Sequence, residues 1–138
     1  MSYAMAGALQ AAVYQHLLSD AGVAALVGTD IYDALPVCES QPSTYVSLGE
    51  EEVRDRSDQS GGGAEHRFRV SVVTDAAGFA AAKTLAAAIC DALAGADLTL
   101  ARGRLVGLWF ERATARRSGK ADRLRRIDLR FRARIEDD

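Results

Sequence analysis

The amino-acid sequence predicts an α+β fold, in which two helices pack on one face of an antiparallel sheet of about four strands. Two segments carry apolar residues at the spacing of an α-helix, and each is followed by a pair of segments in which apolar and polar residues alternate. The resulting order is helix, hairpin, helix, hairpin, which is typical of a layered α+β domain. The length of 138 residues predicts a single domain over residues 1–138.

The first helix is predicted over about residues 4–18 and the second over about residues 78–94. Each has one apolar face, formed in the first helix by Ala6, Leu9, Val13 and Leu17, and in the second by Phe79, Ala82, Ala86, Ile89 and Leu93. Gly95 stands where a glycine commonly ends a helix. Before the first hairpin, we expect a short helical turn ending at Gly28 and a short extended piece stopped by Pro36.

Four longer segments have the composition of strands. The first hairpin pairs "YVSLGEEEVRD" with "HRFRVSVVT", and the second pairs "RLVGLWFERATAR" with "ADRLRRIDLRFRARIE". The first hairpin has a tip at about residues 56–65, which is rich in glycine and small polar residues, and we expect this tip to be flexible. The tip is either a passive insertion or a loop that becomes ordered on docking, with Ser60, Gly61, Gly62 and Gly63 as its docking residues.

Charge is distributed unevenly along the chain, although the net charge is only −2. Residues 1–101 hold five Lys and Arg against thirteen Asp and Glu, a net charge of −8, whereas residues 102–134 hold twelve against three, a net charge of +9. The basic segment could bind a polyanion, or the two segments could neutralise each other within or between subunits.

A stripe of arginines in the last strand raises the same question. We hypothesise that these arginines pair with the carboxylates of the acidic segment, on the same sheet or across a subunit boundary, because the guanidinium fork suits carboxylates. The arginines of this interface are Arg126, Arg130, Arg132 and Arg134, and the acids are Glu50, Glu51, Glu52 and Asp55.

The sequence predicts no catalytic residues, no cofactor and no metal site. His16 and His66 are far apart and have no partner at the spacing of metal ligands, and Cys38 and Cys90 do not form a CxxC pair. The stretch "GGGAEH" precedes a strand and lacks the spacing of a dinucleotide-binding loop. The N-terminus lacks the basic segment of a signal peptide, and no apolar run approaches the roughly 18 residues of a membrane span. We therefore expect a protein of the cytoplasm, or of a particle assembled there, with no membrane partner.

Six motifs follow one another along most of the chain: "LQAAVYQHL", "ALVGTDIYDALP", "STYVSLGEEEVRD", "HRFRVSVVTDAAGFAAAKTLAAAICDAL", "LVGLWFERATARR" and "DLRFRARIE". In order and spacing they resemble the tail-terminator, or tail-completion, proteins of long-tailed phages and of phage-like particles such as gene transfer agents. In many members of that family an aromatic–tyrosine or proline–tyrosine pair precedes the V-x-L-G strand, whereas this chain has "PSTYV".

The resemblance implies a protomer similar in fold to tail-tube subunits, which forms a hexameric ring. Such a ring caps the tail tube at its head-proximal end, stops its polymerisation and joins the tail to the head connector. The implied partners are the tail tube protein and a head-completion or stopper protein, and DNA would pass through the bore without specific binding. The protein would be a structural part of the virion, assembled in the bacterial cytoplasm, and would not be an enzyme.

Two alternatives remain open at this point. One is a head-completion stopper or adaptor at the same junction. The other is a small DNA-binding module, which the basic segment and the arginine stripe favour. Against DNA binding, the arginine stripe lacks interleaved aromatic residues on its own face, since Phe131 points with the core residues, and bases need exposed rings on which to stack.

Overall fold

The computed structural model describes residues 3–33, 42–57 and 62–137. Within these residues the chain forms, in order, α1 (Ala6–Ser19), α2 (Ala21–Val27), β1 (Ile31–Tyr32), β2 (Thr44–Asp55), β3 (Gly62–Thr74), α3 (Ala80–Leu93), β4 (Arg104–Ser118) and β5 (Leu124–Asp137). A short 3-10 turn, Lys120–Asp122, joins β4 to β5. None of the helices in these ranges is long and apolar enough to cross a membrane.

The strands form one mixed sheet in the order β1-β2-β3-β5-β4. The longer strands run antiparallel to one another, whereas β1 runs parallel to β2, with Ile31 beside Val46 and Tyr32 beside Ser47. The prediction of two helices on an antiparallel sheet of about four strands is therefore wrong. The described residues contain three α-helices and five strands, and the sheet is mixed.

The two elements outside the predicted helix, hairpin, helix, hairpin order are short, and the sequence predicts them only as a helical turn ending at Gly28 and a short extended piece. β1 has two residues, too few to show the alternation from which a strand is predicted. α2 has seven residues; it begins where the side chain of Asp20 accepts a hydrogen bond from the backbone N–H of Val23 at 3.0 Å, and it ends at Gly28, whose φ of +60° suits glycine. The connection from β1 to β2, which includes Pro36 and Cys38, lies mostly outside the described residues.

The core lies between the sheet and the helices. α1 buries Ala6, Leu9, Val13 and Leu17, the same four residues that its helical spacing predicts. α3 buries Ala82, Leu85, Ala86, Ile89 and Leu93, while Phe79 stands at its N-terminal cap and is only partly buried. Phe131 of β5 is fully buried and stacks on Phe68 of β3 with ring centroids 5.7 Å apart. Removing a ring of this kind typically costs about 3–5 kcal/mol.

The tip of the first hairpin is framed by strands on both sides. Gly62 and Gly63 belong to β3, and Ser60 and Gly61 lie outside the described residues. A Cβ atom on Gly63 would come within 2.8 Å of the guanidinium of Arg134 and 3.2 Å of the carbonyl of Arg56. Because Gly63 has no side chain, Arg134 can donate a hydrogen bond to that carbonyl at 2.8 Å, which ties the base of the tip to β5.

His66 is a fully buried polar residue of the core. It lies on β3 between Val53 of β2 and Ala133 of β5, and neither of its ring nitrogens has a hydrogen-bond partner among the described residues. Burial lowers the pKa of His66, because the protonated ring would lose its hydration without gaining a partner. His66 is thus held as a neutral core residue.

We expect the pH dependence of stability to report this burial. An unfolded chain takes up a proton on histidine near the ordinary pKa of about 6.5, whereas the folded chain resists it, so this contribution is present above that pH and is lost as the pH falls towards the lowered pKa. The free energy of unfolding, measured by urea denaturation, should fall less in His66→Leu than in the wild type between about pH 7.5 and about pH 5.5. Equal decreases in the two proteins would contradict the assignment.

Candidate interface on the exposed face of the sheet

The face of the sheet that points away from the helices carries a dense set of polar side chains, which we call the charged face. It arises because alternate residues of a strand point to the same side. Its members are Glu52, Arg54, Glu65, Arg67, Arg69, Ser71, Trp109, Arg112, Thr114, Arg116, Arg126, Asp128, Arg130, Arg132 and Arg134.

The strand register brings arginines directly opposite one another on this face. Arg67 of β3 is paired with Arg132 of β5, and Arg69 is paired with Arg130. Arg130 is also paired with Arg112 of β4 on its other side. Like charges in directly opposed positions destabilise a sheet, so the fold depends on carboxylates that reach between the arginines.

Asp128 of β5 is the most heavily contacted of these carboxylates. Its Oδ1 accepts hydrogen bonds from the hydroxyl of Ser71 at 2.6 Å and from Nε of Arg126 at 2.8 Å. The guanidinium groups of Arg69 and Arg116 lie 3.8 and 3.7 Å from its oxygens. Burial by itself raises the pKa of Asp128, but the hydrogen bonds from Ser71 and Arg126 and the nearby positive charges outweigh it, so the pKa is lowered.

Glu65 and Glu111 neutralise the remaining opposed arginines. Glu65 of β3 lies 3.0 Å from Arg67 and 3.8 Å from Arg132. Glu111 of β4 lies 3.1 Å from Arg67 and 3.5 Å from Arg130. The register of β4 shifts between Phe110 and Arg112, which leaves Glu111 without a directly paired residue in β5. This bulge frees the Glu111 carboxylate to reach across the sheet.

The four arginines predicted to form an interface have these partners within the chain. Arg126 contacts Asp128, and Arg130 contacts both Glu111 and Glu52, the latter at 3.7 Å. Arg132 lies 3.8 Å from Glu65 and stacks over the ring of Trp109, 4.7 Å from its centroid. Arg134 donates to the carbonyl of Arg56. Arg130–Glu52 is thus the one hypothesised pair that the described residues bring within 4 Å.

The acids named in that hypothesis lie along the outer part of β2. Glu50 is 3.3 Å from Arg69, and Glu52 is 2.8 Å from Arg54. Glu51 accepts a hydrogen bond from the hydroxyl of Tyr3, and burial raises the pKa of its carboxyl group. Asp55 accepts hydrogen bonds from the hydroxyl and the backbone N–H of Ser57, which lower its pKa.

Sequence reasoning missed the three acids that hold the charged face together. Asp128 is visible in the sequence, since it stands two residues from Arg126 and two from Arg130 and therefore on their side of the strand. Glu65 and Glu111 gave no such signal, because their contacts depend on the pairing of β3 with β5 and on the bulge in β4.

β4 forms one edge of the sheet and leaves large apolar side chains in solvent. Val106, Trp109 and Phe110 are 48%, 43% and 44% exposed. Farther along the strand, Arg112 and Arg117 are exposed and have no ion-pair partner in the described part of the chain. No group of three or more His, Cys, Asp or Glu residues within the described ranges is arranged to hold a metal ion.

The Asp128→Asn substitution should destabilise the fold. We expect the free energy of unfolding at neutral pH, measured by urea denaturation, to fall by about 2 kcal/mol, because hydrogen bonds to charged groups contribute about 1.5–3 kcal/mol each. The matched control is Asp91→Asn, which removes an exposed carboxylate from α3 and should change stability by less than about 0.5 kcal/mol. Because the pKa of Asp128 is lowered in the folded chain, the wild type should lose its advantage below about pH 3.9. A variant as stable as the control would contradict the role of Asp128.

Comparison with known proteins identifies the family of this chain. Residues 11–136 match the family model described as "Tail completion protein gp17". The chain is also similar to a chain in the solved structure of the "Virion of native gene transfer agent (GTA) particle", with 65% sequence identity and a TM-score of 0.92 over 98% of this chain and 99% of that chain. Comparison with curated proteins gives no match. The match covers most of the chain and confirms the resemblance identified from the six motifs, so the chain belongs to the gp17 family of tail completion proteins, which are structural proteins of virions.

Proposed function

We propose that this protein forms a hexameric ring that caps the tail tube, ends its polymerisation and joins the tail to the head connector. The observation that carries the proposal is the family match, together with the 65% identity to a virion chain over nearly the whole of both chains. The ring would contact the tail tube protein on one side and a head-completion or stopper protein on the other. It would be assembled in the bacterial cytoplasm and remain in the virion, at the junction of head and tail.

The geometry of the charged face supports a structural role. Most of its arginines contact carboxylates of the same chain, chiefly Asp128, Glu65 and Glu111. Such pairs brace side chains on three strands without requiring a substrate, and they offset part of the positive charge of the face. A face braced in this way suits a subunit whose task is to hold a fixed shape between two larger assemblies.

The ion pairs within the chain also argue against DNA binding as the main function. A groove of about 390 Å³ on the charged face is lined by four carboxylates and four arginines, namely Glu50, Glu51, Glu52, Asp128, Arg67, Arg69, Arg112 and Arg130. DNA binding needs cationic side chains that are free to neutralise phosphates and so displace the counterions condensed on the DNA. Of these four arginines, Arg67, Arg69 and Arg130 already have carboxylate partners, and within the described residues only Arg112 has none. We therefore expect DNA to pass the ring without a specific grip.

The alternative of a head-completion stopper is separated from the tail terminator by a gene-deletion experiment. In a strain that produces the particles but lacks this gene, we expect tails of uncontrolled length that are not joined to heads, because nothing ends tube growth. Tail lengths are measured by negative-stain electron microscopy, and re-expression of the wild-type gene is the control. Tails of normal length beside heads that have lost their DNA would contradict the proposal and identify a stopper.

Binding to duplex DNA should be weak. Non-specific DNA-binding proteins have dissociation constants of about 10⁻⁴–10⁻⁶ M at physiological salt, and we expect this protein to lie at the weak end of that range or beyond it. Fluorescence anisotropy with a labelled duplex measures the affinity. A dissociation constant below about 1 µM at physiological salt would favour the DNA-binding module instead.

A further inference from the structure

We propose that neighbouring copies of this chain join edge to edge, with the outer edge of β4 in one subunit lying beside the outer edge of β2 in the next. This inference rests on the proposed ring and names the two surfaces that would close it. This joint between subunits is different from the hypothesised pairing of the arginine stripe with the acidic segment. The arginines Arg126, Arg130 and Arg132 already contact carboxylates of their own chain.

Both ends of the sheet have open edges within the described residues. β4 is the last strand on one side, so its fifteen residues have backbone groups with no strand beyond them. On the other side, the short strand β1 covers only Val46 and Ser47 of β2. From Leu48 to Asp55, no described strand lies on the outer side of β2. Unpaired N–H and C=O groups along such an edge are a template for another strand.

The regular parts of the two edges are of similar length. β4 is bulged near Val106 and Glu111, but its pairing with β5 is regular from Arg112 to Ser118. β2 has a register shift between Leu48 and Glu51 and is regular from there to Asp55. Neither stretch contains proline, so each edge offers a continuous run of backbone groups that a second strand can use.

The two edges carry opposite charge. The stretch from Arg112 to Ser118 has three arginines and no acid, whereas the stretch from Glu50 to Asp55 has four acids and one arginine. Arg112 and Arg117 have no ion pair in the described part of the chain, and the Glu50 side chain is 81% exposed. Charge of opposite sign on two surfaces favours their encounter and fixes their register.

A second copy of the chain is the occupant that these features specify. The two complementary edges belong to one molecule and lie at opposite ends of its sheet, so the contact is head to tail and leaves a free edge at each end of any open chain of subunits. A contact of this kind repeats from one copy to the next and gives a ring when the rotation between neighbours closes. Pairing β4 with another β4 would oppose two basic edges and is disfavoured.

Two charge-reversal variants test the joint. Arg112→Glu with Arg117→Glu makes the β4 edge acidic, and Glu50→Lys with Asp55→Lys makes the β2 edge basic. The control variants carry charge changes of the same signs away from both edges, at exposed positions. They are Lys83→Glu, and Asp91→Lys with Asp97→Lys. Mass photometry, with and without purified tail tube subunits, measures the assembly.

We expect wild type and both controls to form rings, and each edge variant alone to remain a single chain. An equal mixture of the two edge variants should restore rings in which the variants alternate. The acidic β4 edge of one variant then meets the basic β2 edge of the other, and the two unchanged edges meet as in the wild type. This rescue also shows that the variants are folded. Rings formed by either edge variant alone, or a mixture that stays monomeric, would overturn the joint while leaving the ring proposal standing. A wild type that forms no ring, alone or on the tube, would overturn both.

Discussion

The arginines of the charged face can stand side by side only because carboxylates of the same chain are held between them. The register of β3 with β5 sets Arg67 against Arg132 and Arg69 against Arg130, and repulsion between these pairs would destabilise the sheet. Asp128, with hydrogen bonds from Ser71 and Arg126, anchors this arrangement at one end. These contacts support the pairing of β3, β5 and β4 from the face opposite the helices.

The ion pairs within the chain lie mostly at the centre of the charged face, so unpaired charge is found towards the margins of that face. The basic and acidic segments of the sequence meet within one sheet, since β5 lies beside β3 and β3 lies beside β2. In the far part of β4, Arg112 and Arg117 have no ion pair within the described residues, and on the outer edge of β2 the exposed Glu50 lies 3.3 Å from Arg69. A subunit with two oppositely charged edges is suited to lateral assembly with copies of itself.

Much of the fold could be predicted from periodicity, because α1, α3 and the four long strands repeat their apolar residues often enough to show a period. β1 and α2 are too short for that, so the sequence predicts α2 only as a helical turn ending at Gly28 and β1 only as an extended piece, and it does not predict the parallel pairing. Of the interface, the arginine stripe and Asp128 could be read from alternation along one strand. Glu65 and Glu111 could not, since their contacts are set by strand pairing and by a bulge, which are properties of the tertiary structure.

The central claim is that the arginines of the stripe have their partners within their own chain and are not a grip for DNA. An electron cryo-microscopy reconstruction of particles with DNA in the tail, at a resolution that shows side chains, tests it most directly. The account predicts that Arg126 still contacts Asp128 and that Arg130 still contacts Glu111 in every subunit. Density for phosphate groups against Arg126, Arg130 or Arg132, with their carboxylates displaced, would contradict it.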